Sequence, residues 1–385
     1  MERIYFSEEH LMLREMVREF AQNEVKPIAN QIDISGEFPM ENIKKMADLG
    51  LMGIPWKQKY GGTGMDTIAL VIAIEELGRV CPSTAATMMA HTSLGSAPIS
   101  AFGTKDQKEK YLTKLASGEI LGAFGLTEPN AGSDAGNTET RAVVDGDEFI
   151  INGQKAFCTN AGVAGIIIIT ARLIKDGEEQ GISAFIVEAG TEGLSFGNPE
   201  KKMGWKASDT RSVFFENMRI PAENILGSPS QGFKQFLRTL TGGRITIGAL
   251  SLGTAQGGYD AALKYSKERE AFGKKISGFQ AVSFTLSDMA TQIQAAKHLV
   301  YHAAWLKDNG YDVIKEAAMA KLFSSEMAMN VTTQAIQVHG GYGYIKEYNV
   351  ERFFRDAKIL EIGEGTSEIQ RIIISREVLN SLSNT

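Results

Sequence analysis

One carboxylate in this sequence lies between two glycines near the C-terminal end of the chain. Glu364 follows Gly363 and precedes Gly365. Glycine has no β-carbon, so the backbone on both sides of Glu364 can approach a ligand closely and adopt conformations that other residues resist. A single Glu in such a setting is typical of a base directed at a substrate. The same three residues also fit a solvated carboxylate in the loop after a helix, so the interpretation depends on the rest of the chain.

Three other segments carry groups suited to binding a polar or phosphorylated ligand. Residues 124–134 combine hydroxyls, a proline and small residues, which can present backbone amides and Ser or Thr oxygens. Residues 269–274 offer a guanidinium for phosphate and an aromatic ring for stacking. Residues 337–344 contain glycines that let the backbone approach a ligand after a helix. Each of these segments, taken alone, also fits an ordinary turn or helix end.

The composition is that of an ordinary globular protein. Of 385 residues, 43% are hydrophobic and 22% are charged, close to the globular average. The 46 acidic and 40 basic side chains give a net charge of −6, which does not suggest a nucleic-acid surface. Cys81 and Cys158 cannot form a disulfide framework, and no secretion signal or membrane span is visible in the sequence. We therefore expect a cytoplasmic protein without nucleic-acid or membrane partners.

Several common site motifs do not occur in the sequence. No Gly-x-Gly-x-x-Gly follows a strand pattern, and no Gly-x-x-x-x-Gly-Lys-Ser/Thr is present, so any nucleotide site must use another arrangement. The five histidines are scattered along the chain and there is no Cys-x-x-Cys pair, so we expect no metal centre. His302 and His339 are expected to be structural.

The hydrophobic periodicity changes twice along the chain. Ser7 is a predicted N-cap, and helical spacing continues to about Gly118. Short β-type runs then follow up to about Gly227, including a predicted turn at Asn152 and Gly153. Helical spacing returns beyond Gly232, with one apolar stripe made up of Leu286, Met289, Ile293, Ala296, Val300 and Ala303.

These patterns predict a mainly α protein with a central β domain, of the α+β class. We expect an N-terminal helical domain over residues 1–121 and an antiparallel, barrel-like β domain over residues 122–230. Residues 231–385 are expected to form a C-terminal four-helix bundle. The sequence shows no internal repeat.

In this order and at these separations, the four motif segments resemble the acyl-CoA dehydrogenase family, and the resemblance covers essentially the whole chain. It implies a helical, a β and a helical-bundle domain, assembled as a homotetramer. It also implies oxidation of the Cα–Cβ bond of an acyl-CoA thioester with bound FAD, and transfer of the electrons to electron-transferring flavoprotein. Some of the residues that hold FAD would come from a neighbouring subunit, which would exclude a monomeric holoenzyme.

The resemblance assigns roles to individual positions. Glu364 matches the catalytic base, and its backbone N–H would help to hold the enolate oxygen. Twelve positions match FAD contacts: Phe124, Leu126, Thr127, Phe157, Thr159, Arg269, Phe272, Gln280, Gln337, Gly341, Thr366 and Glu368. Four positions match substrate contacts or flank the base: Ser133, Thr241, Arg244 and Gly365.

Some positions depart from the family pattern. Gly363 stands where many members have Tyr, and the loss of that ring favours a short, branched or cyclic acyl group. Phe157 stands where many members have Trp, and Thr241 stands where many short-chain members have Asp, which weakens the contact assigned to Thr241. His91 lies in a segment that borders the acyl cavity in the family.

Four functions fit these residues. An acyl-CoA dehydrogenase is the main prediction. The alternatives are an oxygen-using acyl-CoA oxidase, a flavoprotein-coupled enoyl-CoA reductase that runs the reaction in reverse, and a catalytically silent CoA-binding homologue. The sequence leaves open the acyl chain, the physiological direction, the identity of the electron partner and the pathway.

Overall fold

Helices make up the first third of the chain in the computed structural model, which describes residues 2–382. The α-helices of this part are α1 (Glu2–Tyr5), α2 (Glu8–Phe20), α3 (Lys26–Ser35), α4 (Met40–Asp48), α5 (Thr67–Gly78), α6 (Pro82–Met89), α7 (Ala97–Phe102), α8 (Lys105–Gln107) and α9 (Thr113–Ser117). The Ser7 hydroxyl accepts a hydrogen bond from the backbone N–H of His10, which confirms Ser7 as the N-cap of α2. A π-helical segment, Ala90–Ser96, joins α6 to α7.

Helix α5 is buried on all sides. Every one of its 12 residues is buried, and it packs against α2 from its own part of the chain and against two helices of the C-terminal third. Its N-terminus is held by two carboxylates: Asp66 accepts from the N–H of Ala69, and Asp308 accepts from the N–H groups of Thr67 and Ile68. A carboxylate from residue 308 therefore caps a helix that begins at residue 67.

The middle of the chain forms one eight-stranded sheet. Its strands are β1 (Leu121–Gly125), β2 (Arg141–Asp145), β3 (Glu148–Thr159), β4 (Ala164–Lys175), β5 (Glu178–Glu188), β6 (Leu194–Phe196), β7 (Thr210–Pro221) and β8 (Ile225–Leu226). The order is β6-β7-β3-β2-β4-β5-β8, and β1 pairs with β4. The central β domain is confirmed, but the hydrogen-bonded path runs open from β6 to β8 through the described strands.

Two details of the predicted sheet are wrong. β1 and β2 both pair in parallel with β4, one along each half of it, so the sheet is mixed and not purely antiparallel. Asn152 and Gly153 do not form a turn, because β3 runs straight through them with a shift in its register against β7. Gly153 has a φ of 142°, a conformation that glycine adopts easily and that bends the strand while keeping it paired.

Long helices return in the last third, as predicted. They are α10 (Gly232–Glu268), α11 (Gln280–Asp308), α12 (Ile314–His339), α13 (Val350–Lys358) and α14 (Ser367–Leu382), with a short hairpin of β9 (Glu270–Ala271) and β10 (Lys274–Lys275) between α10 and α11. Helix α12 packs against the other four helices or their connections. The six residues of the predicted stripe on α11 are all buried, which confirms its role in the core.

The N-terminal and C-terminal helices share one hydrophobic core. A single cluster runs from Val17 and Leu70 in the first third to Leu250, Val300 and Val331 in the last third. The sheet has its own cluster between its strands, and a third cluster lies where the sheet meets α7, α9 and α10. Between residues 2 and 382, no helix is long and apolar enough to cross a membrane.

Candidate active site

Glu364 lies in a strained turn between α13 and α14. Its φ is 54° and that of Gly365 is 94°, so two consecutive residues are left-handed. A non-glycine residue in this region is uncommon and persists only where the surroundings hold it, which is typical of functional sites. The carboxylate extends to α10, where a β-carbon built on Gly243 would overlap Glu364 Oε2. Position 243 must therefore lack a side chain if the carboxylate is to stay where it is.

Three hydrogen bonds that involve α12 and α14 hold this turn in place. The carbonyl oxygen of Gly365 accepts from Lys321 Nζ on α12 at 2.5 Å and from Gln370 Nε2 on α14 at 2.8 Å. The Thr366 hydroxyl accepts from the N–H of Ile369 at 3.3 Å and so caps the start of α14. Because α12 and α14 pack on each other, the turn is fixed to a rigid part of the fold.

The electrostatics of the site suit a general base. Burial raises the pKa of Glu364 to about 7, although the charges of Lys321 and Arg244 lower it. Burial also lowers the pKa of Lys321 to about 8 and that of Arg244 below its usual value. Glu364 Oε2 is buried and has no hydrogen-bond partner among the described residues. A carboxylate that titrates near neutral pH and has a free oxygen is ready to accept a proton.

Arg244 and Thr241 lie about one turn apart on α10, and the charge of Arg244 acts on the Glu364 carboxylate. Arg244 is buried, and its Nη1 donates a long hydrogen bond of 3.4 Å to the Thr241 hydroxyl. Its Nε has no partner in the part of the chain that the structure describes. The structure thus brings together four residues singled out from the sequence, Glu364, Gly365, Thr241 and Arg244. A buried guanidinium N–H and a buried carboxylate oxygen that both lack partners, on residues whose charges interact, mark a place where a polar ligand group fits.

A second group of predicted residues lies on the sheet. Phe157 occupies a bulge in β3, with a φ of 55° and a ring that is 68% exposed. The neighbouring N–H of Ala156 donates to the carbonyl of Thr127 at 2.8 Å, so the strand and the predicted binding loop are tied together. Thr159 is half-buried at the end of the same strand, and Ser133 is exposed further along the loop. Bulges commonly redirect side chains next to active sites.

A buried ion pair supports that loop. Lys155 is completely buried, and its Nζ donates to Glu128 Oε1 at 2.6 Å, to the hydroxyls of Thr138 and Thr170, and to the carbonyl of Leu126. Burial alone would raise the pKa of Glu128, but Lys155 and the surrounding hydroxyl and amide donors bring it to about 2. The loop that carries Thr127 is therefore held to β3 by a fully bonded network.

Two of the predicted residues of this loop make core contacts. The ring of Phe124 stacks on Phe236 of α10, with 4.1 Å between the ring centroids. Phe124 and Leu126 are both half-buried and pack against the cluster between sheet and helices. One face of the Phe124 ring is therefore covered by Phe236, a contact that the sequence did not predict.

A third group lines a cleft of about 560 Å³ at the C-terminal end of α12. Arg269, Gln337 and Gly341 all line it, and the Arg269 guanidinium lies 5.6 Å from the ring centroid of Tyr342. A β-carbon on Gly340 or Gly341 would meet no atom within 4 Å, so the backbone here is open to a ligand.

The remaining predicted residues are spread around these groups. Phe272 is 96% exposed at the tip of the β9–β10 hairpin, and Gln280 is exposed at the start of α11. Glu368 is exposed in the first turn of α14. Lys321 and Gln337 lie 16 positions apart on α12, so the Glu364 turn and the cleft are separated by about 24 Å along that helix. The structure of one chain does not bring these two groups together.

The histidines are structural where the structure gives their contacts. His91 is buried, its Nδ1 accepts from the N–H of Gly122, and its Nε2 donates to the carbonyl of Leu115. Burial lowers its pKa to about 4, so it stays neutral, and both ring nitrogens are already bonded to backbone. His339 stacks on Tyr265 and bonds to the carbonyl of Ala335, as expected of a structural residue. No group of His, Cys, Asp or Glu in the described part of the chain could hold a metal ion.

Sequence reasoning missed Gly243, Lys321 and Gln370, which surround the Glu364 turn. A signal for Lys321 was present, because it is a single charge inside the apolar run Ala317 to Leu322. A lysine in such a run either reaches solvent at the helix surface or is buried with a specific bonded partner, and only the fold distinguishes the two.

Three family models together match nearly the whole chain. They are described as the N-terminal domain of acyl-CoA dehydrogenase, over residues 7–119, the middle domain, over residues 123–218, and the C-terminal domain, over residues 230–379.

Relatives of known name align along almost their full length. The chain is 54% identical to "Probable acyl-CoA dehydrogenase YngJ" of Bacillus subtilis, over 97% of this chain and 98% of that one. It is 50% identical to the short-chain specific acyl-CoA dehydrogenase of Clostridium acetobutylicum, over 96% and 98%. It is also 44% identical to subunit CarC of the caffeyl-CoA reductase-Etf complex of Acetobacterium woodii, over 98% and 100%.

Solved structures agree with these alignments. Butyryl-CoA dehydrogenase from Megasphaera elsdenii superposes with a TM-score of 0.95 at 42% identity, covering 97% of this chain and 99% of that one. An acyl-CoA dehydrogenase from Bacillus anthracis, solved in complex with FAD, gives a TM-score of 0.93 at 33% identity, covering 98% of this chain and 68% of that one.

Proposed function

Because the chain belongs to the acyl-CoA dehydrogenase family, we propose that it is an FAD-dependent enzyme that oxidises the Cα–Cβ bond of an acyl-CoA thioester to the 2-enoyl-CoA. The observation that carries this proposal is the Glu364 turn. It offers a buried carboxylate with a pKa of about 7 and a free oxygen, held in a strained conformation by two helices. Such strain is retained where a site requires it.

In this mechanism Glu364 Oε2 takes the proton from the α-carbon. Its pKa near 7 suits a base that must be ionised before the reaction and hold the proton afterwards. The N–H of Glu364 would donate to the thioester oxygen as negative charge develops there. The charge of Arg244, which is buried, favours the ionised form of the Glu364 carboxylate. FAD, when bound, supplies the acceptor for the hydride that leaves the β-carbon.

Two parts of the chain fit FAD. The exposed ring of Phe157, with Thr127 and Thr159 nearby, offers a flat surface and hydroxyls for the flavin end, together with Phe124 and Leu126. The cleft of Arg269, Gln337 and Gly341 offers a guanidinium and open glycine backbone for the pyrophosphate and adenosine. We propose that Phe272, Gln280, Thr366 and Glu368 complete this site. The separation of about 24 Å along α12 supports a site shared between subunits of a homotetramer.

We assign the substrate to short, branched or cyclic acyl-CoA thioesters, with Ser133, Thr241, Arg244 and Gly365 as contacts. A short-chain specific relative at 50% identity supports this class. Gly363 supports it too, because a β-carbon there would contact only Ile359, so space beside the base is free.

Electron-transferring flavoprotein is the proposed electron partner. The CarC relative is named as a subunit of a reductase complex with Etf, which supports such a partner and favours the reverse, enoyl-CoA-reducing direction as the second candidate function.

Anaerobic titration of the purified yellow protein with straight, branched and cyclic acyl-CoAs tests the main proposal. We expect one subset to bleach the flavin absorbance, and we expect Glu364→Gln to keep its flavin yet lose bleaching by at least about 10³-fold. A Glu364→Gln protein that bleaches like wild type would remove Glu364 from the mechanism. Hydrogen peroxide release without an added acceptor would instead indicate an oxidase. A protein that takes up no FAD would indicate a silent homologue.

A further inference from the structure

Lys321 is an unusual residue for the interior of a helix. It lies on α12 with no solvent exposure, in a stretch whose neighbours Ala317, Ala318 and Ala320 are also fully buried. A buried lysine is destabilising unless its charge and donors are satisfied, and an apolar residue of similar length would normally be preferred there. We therefore expect Lys321 to have a specific role at this position.

Its ammonium is directed at the turn that carries the base. Lys321 Nζ donates to the carbonyl of Gly365 at 2.5 Å, and Gly365 is the residue directly after Glu364. The same carbonyl accepts from Gln370 Nε2 at 2.8 Å, which anchors the turn to α14 as well. Among the described residues this is the only hydrogen bond that the structure gives to Lys321 Nζ, so its single bonded partner is the catalytic turn.

We propose that Lys321 is a positioning residue for Glu364: its ammonium holds the Gly365 carbonyl, fixes the left-handed turn and keeps the carboxylate directed at the space beside Gly243. The inference rests on the function proposed above. A displaced base loses rate steeply, because reaction requires the carboxylate within contact distance of the α-hydrogen.

The charge of Lys321 acts on the same carboxylate. Lys321 from α12 and Arg244 from α10 both lower the pKa of Glu364 against the effect of burial. Glu361 and Glu368, on the segments that flank the turn, act on Lys321 itself, and Arg376 of α14 acts on Arg244. Loss of the Lys321 charge should therefore move the titration of Glu364 to higher pH.

Three substitutions of Lys321 distinguish the effect of its hydrogen bond to the Gly365 carbonyl from the effect of its positive charge. Lys321→Met removes both the donor and the charge while keeping the volume. Lys321→Gln keeps a donor without charge, and Lys321→Arg keeps both. None of them leaves the Gly365 carbonyl without a partner, because Gln370 still donates to it. We therefore expect all three proteins to fold and bind FAD.

The first readout is the rate of anaerobic flavin bleaching as a function of pH, with wild type measured in parallel. For Lys321→Met we expect a fall of about 10- to 100-fold at pH 7 and a midpoint shifted upwards by about one pH unit, with a substrate affinity within about three-fold. Lys321→Arg should recover most of the rate. A Lys321→Met protein with an unshifted midpoint and a normal rate would overturn the proposal. Should Lys321→Met not fold, Lys321→Gln, which lacks the charge, must show the upward shift of the midpoint, and an unshifted midpoint there would overturn the proposal.

The second readout needs no turnover. The free energy of unfolding is measured as a function of pH for two pairs of proteins. The first pair is wild type and Glu364→Gln, and the second pair is Lys321→Met and the double variant Lys321→Met with Glu364→Gln. If Lys321 acts on the base, the pH at which the two curves stop diverging, which marks the pKa of Glu364 in the folded protein, moves upwards in the Lys321→Met pair. The same end point in both pairs would mean a merely structural lysine. Wild type that is not bleached by any acyl-CoA would refute the proposed function, whereas normal wild-type bleaching with unaltered Lys321 variants would refute this inference alone.

Discussion

At the scale of single residues, the site depends on side chains that are absent as much as on those present. Gly243 leaves room on α10 for the carboxylate of Glu364, and Gly365 allows the backbone to turn directly after it. Both glycines serve the position of one functional group. Replacement of Gly243 should therefore affect chemistry more than stability.

Gly243→Ala tests this directly. Alanine favours a helix over glycine by about 1 kcal/mol, so thermal unfolding should be unchanged or slightly higher in temperature. The added β-carbon would displace Glu364 Oε2, and we expect anaerobic bleaching to slow by at least about 10-fold.

The neighbouring Gly242→Ala is the matched control, because a β-carbon there would meet only the flexible end of Lys307 at 3.3 Å. Equal rates for Gly243→Ala and Gly242→Ala would show that the overlap with the carboxylate has no consequence.

The titration of Glu364 also makes stability depend on pH. Its pKa is about 7 in the folded protein and 4.5 ordinarily, so the folded state binds the proton more tightly than the unfolded state. The resulting stabilisation is complete below pH 4.5 and is lost as pH rises through about 7. Between pH 5 and 8, urea unfolding should show that Glu364→Gln gains about 1–3 kcal/mol relative to wild type. A constant difference across that range would contradict the raised pKa.

At the scale of secondary structure, β3 and the loop before β2 act as one unit. The β3 bulge turns Phe157 outwards, and the Lys155–Glu128 pair next to it fixes the loop that carries Leu126 and Thr127. The unit is held from inside the sheet, so its outer surface stays free for a ligand.

Breaking the Lys155–Glu128 ion pair should release the loop that carries Thr127 from β3. Lys155→Met leaves Glu128 buried without its cation, and we expect a loss of about 3–5 kcal/mol in unfolding free energy together with weaker flavin retention. The double variant Lys155→Met with Glu128→Gln removes the unpaired charge and should recover much of the stability. Calorimetry and the flavin-to-protein absorbance ratio measure both effects; a single variant as stable as wild type would show that the pair is dispensable.

Features of the secondary structure that depend on local sequence were predictable, whereas those that depend on distant contacts were not. Ser7, the stripe on α11 and the glycine-flanked Glu364 were predictable, because caps, periodicity and glycine are local signals. The direction of strand pairing was not, because alternation of apolar residues is the same in parallel and antiparallel strands. Gly243 and Lys321 escaped notice because they meet Glu364 only through packing between distant helices.

At the scale of the whole molecule, the two helical parts of the chain complete each other. Helix α5 is buried against α10 and α11, Glu75 on it bonds to Lys297 and Tyr301 of α11, and Asp308 caps it. Residues 231–385 expressed alone should therefore lack fixed tertiary structure, visible as a loss of near-ultraviolet circular dichroism with helical signal retained. A well-folded fragment with a sharp thermal transition would contradict a shared core.

This shared core has a consequence for synthesis on the ribosome. Helix α5 ends at residue 78, but the helix that completes its surroundings ends at residue 308. At 5–20 residues per second, the intervening chain takes roughly 10–50 s to emerge. Throughout that interval the mainly apolar helix α5 lacks its partners from the last third, while the sheet, whose strands lie between, can already form. The nascent first third is thus a natural client for chaperones, and slower translation of the last third prolongs its exposure.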